Sequence, residues 1–245
     1  MIDGLYSAAG GMNAQQNRMN AISVDLANLS TTGYKSQHFG FQELLYQIQG
    51  PNRAVTGQGT GSGVVGGVLD RAMTQGAING TNNPLDLAIE GGGFFQVRLT
   101  DGTTGFTRAG DFTLDAQRRI ATPDGNILVP SITVPINISL DSIGVAPDGV
   151  VTAGSTRLGQ IQIATFAAPE RLTSLGANLY AASNNSGPAG TANPGIIQQR
   201  ALEGSNTDTS QSLTDMIQAQ RAYDLCSRAV RTWDEMLQTA NQIRR

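Results

Sequence analysis

The sequence holds one cysteine, one histidine, one tryptophan and one lysine, and each scarcity closes a route. A lone thiol, Cys226, has no partner for an intrachain disulfide. A lone imidazole, His38, has no second histidine with which to form a metal pair. Charged residues make up only 14% of the chain, against roughly 25% in an average soluble protein. With so little self-repulsion, many copies can pack closely at small electrostatic cost. The net charge is −3 and no basic run exists, so no face is available to displace the counterions of a nucleic acid. No stretch approaches the length of apolar residues that spans a bilayer, so no membrane insertion is expected. The start, from Met1 to Ser7, lacks a basic region followed by an apolar one, so no cleaved secretion signal is expected either.

What is present is arginine, glycine and a heptad pattern at each end. Arginine occurs fifteen times against the single Lys35. Protein interfaces favour arginine over lysine, although an arginine-rich genome explains the bias equally well. From Leu5 to Leu29 apolar residues recur at every seventh position. Leu5, Met12, Met19 and Leu26 form one row; Ala8, Gln15, Ile22 and Leu29 form the next, with Gln15 as the polar break. Gly33 marks a stop after about 26 helical residues, a rod of roughly 40 Å. The C-terminal end repeats the design. Met216, Tyr223, Val230 and Leu237 form one row and Ala219, Cys226, Trp233 and Ala240 the other, with Leu213, Ile217, Met236 and Ile243 widening the stripe. Ser205 to Asp208 offer N-cap side chains, and Asp224–Arg228 and Arg231–Glu235 have i,i+4 spacing. Two narrow-seamed helices at opposite chain ends can pair with each other or with neighbouring copies. Packing on the core of their own domain is the competing reading.

The middle reads as β-structure. Asp101-Gly102, Asp124-Gly125 and Asp148-Gly149 each sit between apolar runs and predict hairpins. Gln160 to Ile163 alternates with period two, as a half-buried strand should. Residues 50–67 are glycine-rich and polar and read as mobile; 183–195 read as a loop. The fold class is therefore α+β, with long N- and C-terminal helices pairing as a coiled coil and a β-rich domain between them. The expected segments are 1–35 as an assembly helix, 36–84 as an extended glycine-rich connector, 85–182 as the β-domain, 183–204 as a return loop or strand and 205–245 as the second assembly helix.

Chemistry is hard to find in this sequence. Gly61-Ser62-Gly63-Val64-Val65-Gly66 spells a dinucleotide fingerprint, but it neither follows a core strand nor opens a helix. Gly91 to Gly93 suit a tight turn into a strand better than an anion site. Cys226 stands on an apolar stripe, where a free cysteine acts as a small hydrophobe. Asp101, Asp124 and Asp148 are explained as turn residues. The reading is of no catalytic residue, no metal site and no cofactor.

Four stretches carry a family resemblance. LANLSTTGYK at 26–35, DLAIEGGGFFQV at 86–97, FTRAGDFTLD at 106–115 and TDMIQAQRAYDLCSRAV at 214–230 occur in this order, with LEGSN at 202–206 before the last helix. Together they resemble the flagellar basal-body rod proteins, and most of all the distal-rod branch of that family. The resemblance implies a structural subunit that builds a hollow helical tube, a homo-oligomer with both terminal helices in an inner layer around an export channel. It implies partners among other rod and hook proteins, the flagellar export apparatus and the bushing rings, and a place in the basal body reached without a cleaved signal. Cys226, Trp233 and the short 57–67 stretch do not match the family pattern, which leaves a proximal-rod or hook-type member as the alternative. From other classes, a soluble ligand-binding or enzymatic β-domain and a different extracellular structural protein remain open.

Overall fold

A computed structural model describes residues 2–45, 61–191 and 195–243. The chain divides into two compact units. The first takes both termini and residues 37–70, and the second takes residues 28–36 and 71–207.

The first unit contains α1 (Ile2–Ala27), β1 (Gln37–Leu45), β2 (Gly61–Arg71, its last residue in the second unit) and α2 (Thr209–Ile243). At 26 and 35 residues the helices span about 39 and 52 Å. Asp208 caps α2: its Oδ1 accepts the amide hydrogens of Ser210 at 2.7 Å and Gln211 at 3.1 Å, satisfying donors that have no carbonyl partner in the first turn. Past α1, Gly33 adopts φ +65°, and a Cβ there would lie 2.4 Å from the Ala109 nitrogen, so only glycine fits the turn. The strands β1 and β2 pair as a two-stranded sheet. Residues 61–67, expected as glycine-rich coil, are thus the first part of β2. The earlier part of that stretch lies outside the described residues.

The second unit is built from short strands: β3 (Ile78–Gly80), β4 (Leu87–Glu90), β5 (Phe94–Arg98), β6 (Thr104–Thr107), β7 (Thr113–Leu114), β8 (Ile120–Ala121), β9 (Ile127–Leu128), β10 (Ile143–Val145), β11 (Val150–Ala153), β12 (Thr156–Gln160), β13 (Ile163–Ala164), β14 (Thr173–Gly176), β15 (Leu179–Ala181), β16 (Ile196–Gln199) and β17 (Ala201–Glu203). The main sheet runs β14-β15-β6-β5-β9-β8-β7, with β13 also on β5; β10-β11-β12 form a second sheet, and β16-β4 and β17-β3 are pairs. All three Asp-Gly sequences turn hairpins, joining β5 to β6, β8 to β9 and β10 to β11. The alternation at 160–163 holds in burial, with Ile161 and Ile163 inside, but the strand itself breaks. Gln160 ends β12 in one sheet and Ile163 begins β13 in another.

The strand β5 is covered on both faces, because adjacent side chains of a strand point to opposite sides. Phe95 enters the large core with Val97, Phe112, Ile120, Leu128 and Val151, while Phe94 enters a smaller cluster with Phe106, Leu172 and Tyr180. Edge-to-face contacts lock both: Phe95 meets Phe112 at 5.1 Å and Phe106 meets Phe166 at 4.8 Å between ring centres.

Candidate assembly interface and the ionic knot

Within the first unit α1 and α2 lie side by side and run antiparallel. Arg18 Nη2 donates to Asp215 Oδ1 at 2.9 Å, and eleven residues further along α2 a Cβ at Gly11 would meet Cys226 Sγ at 3.2 Å. The heptad rows of α2 form its less exposed face. Ala219 is fully buried, and Met216, Tyr223, Cys226, Val230 and Trp233 are half-buried. On α1 the seam residues Met12, Met19, Ile22 and Leu26 are half-buried as well, whereas Leu29 lies beyond the helix end in the second unit. Leu5, Leu237 and Ala240 belong to the helices, but their side chains lie outside the described residues.

The sequence pattern missed a second face of α1. Its most buried residues are Ala14, Ala21 and Asp25, none of them in the predicted rows. Ala14 approaches β2, where a Cβ at Gly66 would stand 3.0 Å away, and Asp25 accepts the Gln37 amide hydrogen at 3.0 Å. Small residues let the backbones come close, and their run of Gly10, Gly11, Ala14 and Ala21 was the available signal. The residues expected to widen the α2 stripe face outward instead. Leu213, Ile217 and Met236 are about half exposed, while the Ile243 side chain lies outside the described residues; Leu225, which stands in neither row, is 65% exposed. Neither Asp224–Arg228 nor Arg231–Glu235 closes to an ion pair among the described residues.

The only lysine turns out to be buried, at the centre of an ionic knot in the second unit. Lys35 Nζ donates to Glu203 Oε1 at 2.5 Å and to the Thr74 carbonyl at 2.7 Å. Glu203 Oε1 also accepts the Gly76 amide hydrogen, and its Oε2 accepts from Arg108 Nη1 at 3.1 Å. Arg108 Nη2 donates to the Gly91 carbonyl at 2.7 Å. Burial pulls the Lys35 pKa down from its ordinary value, and the Glu203 contact opposes that pull. Beside the knot, Asn206 accepts the Ser36 amide hydrogen at 2.8 Å and donates to the Ala72 carbonyl at 2.7 Å. The segments at 33–36, 71–76, 108 and 203–206 are thereby laced together inside one unit.

The candidate chemical groups are otherwise accounted for. The glycine fingerprint lies in strand β2, and Asp101 and Asp148 accept amide hydrogens from Thr103 and Val150 in their own turns. His38 Nδ1 lies 3.2 Å from Asp70 Oδ1. Among the described residues no cluster of three metal-ligating side chains occurs, and no helix is long and apolar enough to cross a membrane.

Long N- and C-terminal helices and a β-rich central domain make an α+β protein, and comparison with known sequences gives its family. The family model of the flagellar hook protein FlgE/F/G D1 domain matches residues 88–153, that of the flagellar basal body rod FlgEFG protein C-terminal region matches 198–243, and that of the flagella basal body rod protein matches 5–35. The chain belongs to the flagellar basal-body rod protein family. It is 38% identical to the flagellar basal-body rod protein FlgG of Caulobacter vibrioides over 98% of both chains. It is 35% identical to FlgG of Borreliella burgdorferi and 36% identical to FlgG of Bacillus subtilis, each over 100% of both chains.

Proposed function

We propose that this chain is a structural subunit of the distal rod of the flagellar basal body, self-assembling into a hollow helical shaft. In this reading α1 and α2 pair as a coiled coil in the inner layer. The shaft carries torque to the hook and passes exported subunits along its lumen. Its partners are further copies of itself, the other rod and hook proteins and the export apparatus, with the bushing rings around it. It has no catalytic role.

The observation that carries the proposal is the unfinished state of the helix pair. Among the described residues its fully buried apolar side chains are alanines, while Leu213, Ile217, Leu225 and Met236 face solvent on α2. Such a surface gains its remaining burial from neighbouring copies. Leu225→Asp tests this directly, because Leu225 is 65% exposed in the single chain and assembly would bury an unpaired carboxylate there at several kcal/mol per copy. The variant should be exported and its second unit should melt as the parent does, while basal bodies purified from a strain carrying only this variant lack the rod. Normal rods in that strain would defeat the helix-pair reading.

A further inference from the structure

The second unit carries an apolar projection on one side and a pocket on another. The projection is the segment 135–140. Among the described residues Ile136 is the most exposed large apolar side chain, at 83%, and Leu140 is 41% exposed. Single exposed apolar residues are ordinary, but this segment is held in place. Arg118 donates from Nε to the Val134 carbonyl at 3.0 Å and from Nη2 to the Ile138 carbonyl at 3.1 Å, and its own carbonyl accepts the Val134 amide hydrogen at 2.8 Å. A tip fixed in advance loses little freedom when it is buried by a partner.

The pocket measures about 250 Å³. Met73, Phe94, Phe166 and Pro169 give it apolar walls, Thr165 and Arg108 add polar ones, and Gly92 stands exposed at the lining. Roughly 150 Å³ of apolar cavity holds a benzene ring, so one branched aliphatic side chain fits here with room to spare. Pockets for drug-sized ligands are larger, at roughly 300–1,000 Å³. Projection and pocket belong to opposite faces of β5. Ile138 packs on the large core with Ile132 and Val134, whereas Met73 and Phe166 pack with Phe94 in the smaller cluster. Being exposed, Ile136 does not fill the pocket of its own chain. The charges are also complementary. Asp141 is the only charged residue of 129–142, while the knot that includes Arg108 holds two cations, Lys35 and Arg108, against the one carboxylate of Glu203.

We propose that Ile136 of one copy seats in this pocket of a second copy of this chain, between Met73, Phe94, Phe166 and Pro169. A projection and a pocket on opposite faces make a head-to-tail contact. Each added copy repeats it, and the row stays open and helical unless the rotation closes a ring. An anchor residue in a pocket that excludes water is also the arrangement in which few side chains set most of the energy of an interface. This deepens the self-assembly reading and rests on it: the helices hold copies together, and the Ile136 contact fixes the register of the second units.

Ile136→Asp gives the first test. Its side chain is exposed in the single chain, so the full-length variant should melt as the parent does, while a strain carrying only this variant loses its rods. Rods of normal yield and length would overturn the contact. A second experiment shows that the partner is another copy. Ile136→Cys chains and Gly92→Cys chains, each also carrying Cys226→Ala, are co-assembled with an excess of Cys226→Ala chains, so that rods form whatever the two variants contribute. A Cβ at Gly92 meets nothing within 4 Å, so the cysteine fits there. Mild oxidation of the rods should join position 136 of one copy to position 92 of another, identified by mass spectrometry of the linked peptides. Neither cysteine variant should form dimers when the other is left out. Absence of the mixed disulfide, or equal yields of dimers from Ile136→Cys chains alone, would overturn the proposal. Leu225→Asp tests the helices and the mixed disulfide tests the contact between second units, so the two readings fail separately.

Discussion

The two units solve the burial problem in opposite ways. In the second unit the interior holds leucine, isoleucine, valine and phenylalanine side chains, with Phe95, Val97, Leu128 and Val151 wholly inaccessible. In the first unit the fully buried apolar residues are Ala14, Ala21 and Ala219 among the described positions, and the larger side chains remain half-buried or exposed. Burial contributes about 25 cal/mol per Å² of apolar surface, so the β-unit draws its stability from itself. The helix pair buries little and holds its apolar surface in reserve. On the proposed reading as a self-assembling subunit, that division would leave to assembly the burial that folding left incomplete.

The sharpest way to break this contrast is at the knot. Glu203→Gln leaves Lys35 and Arg108 buried without their carboxylate, a loss of about 3–5 kcal/mol when one partner of a buried pair is removed. The tryptophan makes the comparison readable, because Trp233 lies on α2 in the first unit and is the only one in the chain. Denaturation followed by hydrogen exchange at the amides of residues 71–207 should show a large drop in the midpoint of the second unit, while the Trp233 fluorescence transition stays in place. Equal shifts in both signals would mean that the units unfold as one, and the contrast would fail.

How much of this was legible depends on how local each feature is. The presence of α1, the capping Asp208 and the three Asp-Gly hairpins follow from residues adjacent in sequence, so periodicity and turn chemistry reveal them, although α1 ends at Ala27 and not after Leu29. The strand β2 was not legible. Its glycines argue against a strand, yet Gly66 is required where a Cβ would stand 2.7 Å from the Phe39 ring and 3.0 Å from Ala14. The end of β12 was missed for a related reason, since alternation persists through Ile161 while the hydrogen-bonding partner changes. Least legible was the knot. Lys35, Arg108 and Glu203 are far apart in sequence, and the scarcity of lysine read as an interface bias when the one lysine was in the interior. On the candidate interface, heptad spacing picked out the less exposed rows of α2 but not the alanine face of α1, because small residues leave a weak hydrophobic signal.

A smaller effect sharpens the helix side of the comparison. Gly11→Ala gains up to about 1 kcal/mol of helix propensity, but its Cβ would sit 3.2 Å from Cys226 Sγ, closer than ordinary contact. Overpacking of that kind costs roughly 1–3 kcal/mol, so the single change should destabilise the Trp233 transition or leave it unmoved. Cys226→Ala alone should cost about 1 kcal/mol, as a small truncation does. In the double variant the contact is gone and the propensity gain emerges, so the coupling should be favourable by on the order of 1 kcal/mol. Strict additivity would mean that the helices are not in contact at these positions in solution.

The smallest effect lies in the β-unit and depends on pH. Burial raises the pKa of Asp111; the nearby charges of Asp86 and Asp124 add to the rise, while hydrogen bonds from its own backbone and from Thr32 oppose it. A raised carboxyl pKa means that the folded state holds its proton to higher pH than the unfolded chain does. From the ordinary carboxylate value of 3.8 upward through the folded value, the folded form binds more protons, so stability falls as pH rises. Above the folded pKa that loss is complete, and Asp111 therefore burdens the β-unit at neutral pH. Asp111→Asn keeps the shape and an acceptor for Thr32 while removing the charge. It should raise the midpoint of the second unit, read by hydrogen exchange at the amides of residues 71–207, slightly at pH 7, and the gain should vanish below pH 3.8, where both forms of the parent are protonated. The Trp233 transition should not respond at any pH. A variant less stable than the parent at neutral pH would show that the Thr32 and backbone hydrogen bonds to the carboxylate outweigh its burial, reversing the sign argued for this residue.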